Sequence, residues 1–114
     1  MAVIKPTYNI ELERLVTVRW ANVSSADTTV PYRIRGKHDL LAVQAEGTWN
    51  STTMKLQGSL SNVAFVNASD MTQSSISFTA NAAAGVLEPL VYWKPIVSGG
   101  TGDSVTITLT HWVS

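Results

Sequence analysis

The stretch SVTITLTHWV, residues 104–113, alternates apolar and polar side chains with a period of two. One face carries the apolar residues and a histidine: Val105, Ile107, Leu109 and His111. The other face carries Thr106, Thr108, Thr110 and Trp112. Successive side chains of a strand point to opposite sides, so this period is what a half-buried strand requires. The stretch therefore predicts a β-strand whose apolar side lies in a core.

Upstream of that strand, further segments rich in β-branched and aromatic residues lie between turn-forming residues. The predicted strands are residues 12–21, 31–35, 40–48, 52–60, 63–66, 75–79 and 87–97. We expect 87–97 to pair with the last strand as a hairpin through the glycine-rich turn 98–103. We expect 40–48 and 52–60 to form a second hairpin through residues 49–51. Pro89 and Pro95 place 87–97 at a sheet edge or beside a bulge.

Many short strands with frequent turns are typical of an all-β sandwich or barrel. The only helix-friendly stretch, NAAAG at residues 81–85, is too short for a stable helix and is interpreted as a loop or a single turn. The 114 residues suit one domain. We expect that domain to span residues 10–114, preceded by an extended arm, residues 1–9, that Pro6 keeps extended and that could reach a neighbour.

Charge and cysteine content limit the classes of function. Charged residues make up 14% of the chain, the formal net charge is zero and there is no cysteine. A net charge of zero gives no indication that the chain binds nucleic acid or an anionic membrane. It also causes little repulsion between copies, which suits a protein that assembles with itself. No apolar run is long enough to cross a membrane, and residues 1–7 do not resemble a signal peptide. Disulfides and thiol chemistry are excluded.

Residues that could carry catalysis are few and scattered. His111 is best interpreted as a core or interface histidine, and His38, next to Asp39, as part of a solvated turn. Glu11 and Glu13 would share a face of an extended segment, but a solvated strand edge is the simpler interpretation. The sequence therefore predicts no enzyme, no metal site and no cofactor.

Aromatic residues and a pair of arginines are the better candidates for function. Tryptophan and tyrosine concentrate at protein interfaces, although most fill cores. Because Tyr92 and Trp93 are adjacent in a predicted strand, one can lie in the core while the other is exposed. Arg33 and Arg35 would present two guanidinium groups on one surface. The candidate protein-interface residues are Tyr8, Arg33, Arg35, Tyr92, Trp93 and Trp112.

Two turn-and-strand motifs resemble a known family. The stretch VQAEGTW at residues 43–49 is followed by MKLQGS at 54–59, and KPIVSGGTG at 94–102 precedes the threonine-rich last strand. These motifs are similar to those of small capsid decoration, or cement, proteins of tailed bacteriophages, over roughly residues 13–112. The resemblance implies a jelly-roll-like antiparallel β-sandwich. It implies no particular contact residue.

The resemblance also implies a role. Such a protein binds the major capsid protein on the outer surface of the virion, stabilises the head and is expected to be a homotrimer made in the host cytoplasm. Two alternatives stay open: a carbohydrate- or receptor-binding module of a phage tail or fibre, and a tail or head-completion component.

Overall fold

The computed structural model describes residues 2–11, 15–34, 41–87 and 90–112, and these form strands and loops with no helix. Twelve strands are present in this part of the chain. They are β1 (Val3–Ile4), β2 (Thr7–Glu11), β3 (Leu15–Val23), β4 (Thr28–Thr29), β5 (Tyr32–Arg33), β6 (Leu41–Thr48), β7 (Thr53–Ser59), β8 (Val66–Asn67), β9 (Ser77–Phe78), β10 (Ala82–Gly85), β11 (Tyr92–Ser98) and β12 (Ser104–Trp112).

Ten of these strands build two facing sheets, and β1 and β4 form a separate two-stranded parallel sheet. The first sheet has the order β10-β6-β12-β3-β2, and the second has the order β5-β11-β7-β8, with β9 also paired to β7. From β5 to β7, and again from β10 to β12, the chain changes sheet at every step. Two sheets connected in this way form a jelly roll. The predicted class, an antiparallel jelly-roll-like β-sandwich, is confirmed.

Both predicted hairpins are wrong, although each of the four predicted segments contains a strand, and the segment 87–97 is a strand only from Tyr92 onward among its described residues. β6 pairs with β12 and β10, whereas β7 pairs with β11, so residues 49–51 cross from one sheet to the other. The turn 98–103 likewise joins β11 of the second sheet to β12 of the first. The two crossing loops lie together, because the Asn50 amide nitrogen donates to the carbonyls of Thr101 and Gly102 over 3.1 Å each. Side-chain contacts between loops thus favour the crossing.

The core between the sheets is built from the inward-facing residues of the long strands. Trp20 of β3 and Trp93 of β11 are both fully buried. Their indole N–H groups donate to the carbonyls of Val30 and Leu90 over 2.9 and 3.1 Å, so neither ring leaves a polar group unsatisfied. Among the described residues, every buried side-chain nitrogen and oxygen has a hydrogen-bond partner.

The edge position predicted from Pro95 is only locally right, because β11 lies between β5 and β7 in its sheet. β5 pairs with only Tyr92 and Trp93 of β11, so at Pro95 no described strand forms a ladder on the side away from β7. The Pro95 carbonyl points to this open side and accepts a hydrogen bond of 2.6 Å from the Thr29 hydroxyl. A residue without an N–H group is tolerated there because no ladder bond is lost. Pro89 lies outside the described residues.

Two further predictions differ from the structure. Residues 82–85 form β10, an edge strand paired with β6, instead of a loop or helical turn. Small side chains allow this pairing, and the sheet overrides the weak helical preference of alanine. The N-terminal segment is extended, but β1 pairs with β4 and β2 pairs with β3. β2 runs across the predicted boundary at residue 9, so the described part of the arm belongs to the domain.

Candidate protein-binding surface

The outer face of the second sheet collects several of the predicted interface residues and their neighbours. Along β11, Trp93, Pro95 and Val97 are buried against the first sheet, so Tyr92, Lys94 and Ile96 point outward. Across this face, Tyr92 lies opposite Arg33 on one side and Ser59 on the other. Lys94 lies opposite Gln57, and Ile96 lies opposite Lys55. The register therefore places Arg33, Lys94 and Lys55 on one surface.

Arg33 and Tyr92 form a cation–π pair on this face. The guanidinium carbon of Arg33 lies 6.0 Å from the centroid of the Tyr92 ring. This distance is at the outer limit for such an interaction, which is worth about 0.5–1 kcal/mol at an exposed site. Arg33 is exposed and Tyr92 is half-buried, so both side chains remain available to a partner.

A second and closer pair joins Lys94 to Phe65. The ammonium nitrogen of Lys94 lies 4.3 Å from the centroid of the Phe65 ring. Phe65 belongs to the loop that follows β7, so this contact brings the loop against the outer face of the sheet. Beside it, Gln57 donates to the Asn67 side chain over 3.2 Å and connects β7 to β8. The loop and the sheet face therefore form one continuous surface.

The loop at residues 60–66 presents aliphatic side chains to solvent. Leu60 is 69% exposed, Val63 is 86% exposed and Val66 is 57% exposed. Two serine hydroxyls fix its backbone. The Ser59 hydroxyl oxygen accepts from the N–H groups of residues 61 and 62 over 3.1 and 3.0 Å. The Ser61 oxygen accepts from those of residues 63 and 64 over 3.2 and 3.4 Å. We name this segment the apolar loop.

Electrostatically, this surface is basic. Arg33, Lys55 and Lys94 form no ion pair with a described residue. One described carboxylate, that of Asp27, lines a small cleft together with Lys94. It is held by the N–H groups of Ser24 and Ala2 over 2.9 and 3.1 Å. The Ser24 N–H is the main cause of the lowered pKa of Asp27.

The six predicted interface residues do not lie on one surface of the structure. It brings Arg33 and Tyr92 together on the basic face. The prediction that Trp93 is an interface residue is wrong, because its side chain points into the core and is fully buried. Gly58 leaves room for the Trp93 ring, since a Cβ on that glycine would lie 2.8 Å from Trp93 Cζ3. Tyr8 and Trp112 belong to β2 and β12 of the first sheet, so they are not on this face. Arg35 lies outside the described residues.

Sequence reasoning missed the apolar loop and its contact with Lys94. The available signal was the segment LSNVAFV at residues 60–66, where four large apolar residues follow a strand without alternating. Part of it, residues 63–66, was instead predicted as a strand. Only Val66 lies in one, because the serine hydroxyls hold the preceding residues in turns.

The histidine prediction is confirmed. His111 is buried, and its Nε2 lies 3.1 Å from the Tyr32 hydroxyl across the core. Within the described ranges, no group of three or more histidine, cysteine, aspartate or glutamate residues could hold a metal ion. His38 and Glu13 lie outside those ranges. His111 is therefore a buried, hydrogen-bonded residue of the core.

Comparisons with known proteins give a distant structural likeness. No family model matches the chain, and no curated protein matches it. Among solved structures, the chain is similar to a cupin domain from Bordetella pertussis Tohama I. The two are 14% identical with a TM-score of 0.48, and the match covers 96% of this chain and 92% of that chain. Likeness at this level carries no argument about function. No helix in the described ranges is long and apolar enough to span a membrane.

Proposed function

We propose that this chain binds a larger protein assembly through the outer face of the second sheet and the apolar loop, and that it serves as a capsid decoration protein on a bacteriophage head. The observation that carries the binding role is the apolar loop, which holds Leu60, Val63 and Val66 in solvent on a fixed backbone. The resemblance of the motifs at residues 43–59 and 94–102 to capsid decoration proteins supports the choice of a phage capsid as the partner.

Burial by a partner explains the apolar loop physically. Large aliphatic side chains clustered on a surface mark interaction sites in soluble proteins. Because the loop backbone is already hydrogen-bonded, binding does not have to order it, and the free-energy cost of association is reduced. Covering a valine as exposed as Val63 contributes roughly 1.5 kcal/mol or more from removed apolar surface.

The basic face suits an acidic protein surface. Arg33, Lys55 and Lys94 are not neutralised by described carboxylates, so a partner's carboxylates would find them available. Such complementarity raises the rate of encounter and fixes the register of binding. Aromatic residues and arginine beside an apolar centre are the composition that protein interfaces favour.

A protein that binds the capsid stabilises it through thermodynamic linkage between binding and the intact shell. A protein that binds only the intact shell adds its binding free energy to that state. If the chain forms the trimer that the resemblance implies, three such surfaces act together and the avidity rises without new kinds of contact. This role requires binding alone, so the proposal includes no enzymatic activity.

Co-sedimentation with undecorated capsids of the cognate phage tests the proposal. We expect wild-type protein to bind and to raise the temperature at which the capsids rupture. Val63→Asp and Lys94→Glu should each weaken binding by about tenfold or more, because each places an unpaired charge in the contact. Gln44→Glu, on the exposed outer face of the first sheet, is the matched control and should bind normally.

Three results would contradict the proposal. Capsids that rupture at the same temperature with and without the protein would exclude a cementing role. Equal binding by Val63→Asp and Gln44→Glu would show that the apolar loop is not part of the capsid contact. Electron microscopy that places the protein on the tail, and not on the head, would favour the tail alternatives.

A further inference from the structure

The geometry points to a second binding site on the opposite side of the sandwich, a groove on the outer face of the first sheet that binds a neutral saccharide. The groove has a volume of about 650 Å³ and lies over the junction of β3, β6 and β12. It is independent of the proposed capsid contact. Since the two surfaces are the outer faces of opposing sheets, both can be occupied at once.

Irregular backbone shapes this groove. β3 carries a bulge where its register with β12 shifts, because Ala21 and Asn22 of β3 both lie opposite Thr106 of β12. Bulges reorient nearby side chains and are common beside binding sites. Within the bulge, Asn22 adopts a left-handed conformation with φ of 54°, and on the other side of β12 Gly47 has φ of 147°. A Cβ on Gly47 would collide with the Ser104 carbonyl oxygen, so the two strands approach closely there.

Hydrogen bonds hold the strained Asn22 in place. Its backbone N–H donates to the Thr106 hydroxyl over 3.2 Å, and its side-chain oxygen accepts from the Ser104 hydroxyl over 3.3 Å. A left-handed conformation costs an ordinary residue about 1 kcal/mol or more, although asparagine tolerates it best. Strain that the surrounding structure maintains is found preferentially at functional sites.

The groove also contains polar groups with unused hydrogen-bonding capacity. Arg19 and Glu46 are exposed, and neither pairs with a charged group in the described part of the chain. The Asn81 side-chain oxygen accepts from the Gly47 N–H over 3.0 Å and from the Trp49 indole N–H over 2.8 Å. These two donors fix the orientation of the amide, and its NH₂ group has no described partner.

These three groups match a sugar better than an ion. The guanidinium of Arg19 and the NH₂ group of Asn81 offer donors, and the carboxylate of Glu46 offers acceptors. Each hydroxyl of a sugar both donates and accepts, so adjacent hydroxyls can use both kinds of group. The opposite charges of Arg19 and Glu46 balance, which disfavours a strongly anionic or cationic ligand. The open shape suits a few residues of a longer chain.

The described residues that line this groove include no aromatic side chain. In the described structure, Tyr92 and Phe65 instead lie under cations on the other sheet. The groove relies on planar polar side chains, with Trp49 acting only as a donor that orients Asn81.

Nuclear magnetic resonance titration of the isolated protein tests the site. The probes are neutral tri- to hexasaccharides of glucose, galactose, mannose and N-acetylglucosamine, with sialyllactose as an acidic comparator and glycylglycine as a zwitterionic one. We expect at least one neutral saccharide to shift the backbone amides of Asn22, Gly47 and Thr106 saturably. Arg19→Gln and Glu46→Gln should each weaken this binding about tenfold, whereas Lys5→Gln, an exposed change outside both binding surfaces, should not.

The inference is overturned by any of three results. The first is the absence of saturable shifts at these amides with every neutral saccharide at its solubility limit. The second is preferential binding of sialyllactose or glycylglycine. The third is unchanged affinity in both groove variants. Because all three charged positions are exposed, the variants should fold, and their amide spectra verify this. No capsid is used, so the outcome is separate from that of the proposed decoration role.

Discussion

Ser25 and Asp103 are 78 residues apart in the chain, yet the Ser25 hydroxyl donates a 2.6 Å hydrogen bond to the Asp103 carboxylate. The Ser25 N–H adds a bond of 3.1 Å, and the Thr52 hydroxyl adds one of 2.7 Å. One carboxylate thus connects three loops at the same end of the sandwich. The Ser25 hydroxyl is the main cause of the lowered pKa of Asp103, which falls from 3.8 to about 2 although burial opposes the shift.

Acid should weaken the fold through Asp103. Since its pKa is lower in the folded chain than the ordinary value of 3.8, its contribution to stability is complete above that value and is lost as the pH falls towards about 2. Asp103→Asn should be less stable than wild type near neutral pH, and this difference should narrow between about pH 4 and pH 2. Urea unfolding of both proteins across this range measures it. A difference that stays constant would show that the Asp103 charge does not stabilise the fold.

Gly100 should tolerate no side chain. A Cβ there would lie 2.6 Å from the Asn50 carbonyl oxygen and would also collide with the Thr52 hydroxyl. Gly100→Ala should therefore lower the free energy of unfolding by about 3 kcal/mol, as overpacking does. Gly102→Ala is the matched control: its φ of 64° is strained for alanine, but the nearest atom is 3.6 Å away, so about 1 kcal/mol is expected. Equal losses in chemical denaturation would contradict the steric argument.

Removing one hydroxyl should loosen the apolar loop. The Ser59 oxygen accepts from two backbone N–H groups, so Ser59→Ala leaves both without that partner. We expect faster hydrogen exchange at the amides of Ser61 and Asn62 and a loss of about 1 kcal/mol in unfolding free energy. Ser98→Ala, at the exposed end of β11, should change neither. Unchanged exchange in Ser59→Ala would show that other contacts hold the loop.

Deleting residues 1–9 should destabilise the domain. This deletion removes β1 and most of β2, and it exposes the edge of β3 that β2 covers. The midpoint of thermal unfolding should fall by about 5 °C or more. Lys5→Gln, an exposed change between the two strands, should have little effect. A truncated protein as stable as the full chain would show that the segment can act as a separate arm.

Side-chain alternation predicted individual strands well. In β12 and β3, the apolar positions, including Val105 and Trp20, are those that the structure buries. Partners were harder to predict, because a strand pattern specifies a buried side and not which strand lies beside it. The loops at residues 49–51 and 98–103 have the composition of hairpin turns, but their long-range hydrogen bonds connect them to each other.

The candidate surface was predictable only in part. Adjacency predicted that Tyr92 and Trp93 lie on opposite faces, so that one can be buried, but it did not predict which one, since that depends on how β11 meets β7. Arg33 was found from its strand pattern. The apolar loop was missed because serine hydroxyls, and not a sheet, determine its conformation. The saccharide groove depends on a bulge and on Gly47, and neither has a clear sequence signature.

The central position of β12 in the first sheet has a consequence for biosynthesis. β12 lies between β6 and β3, so the β10–β6 pair and the β3–β2 pair cannot join into one sheet until residues 104–112 leave the ribosome. The apolar sides of these two pairs stay incompletely covered until then, and completion of the first sheet awaits its last strand. Nascent chains stalled before residue 104 should therefore recruit chaperones, whereas released full-length chains should not.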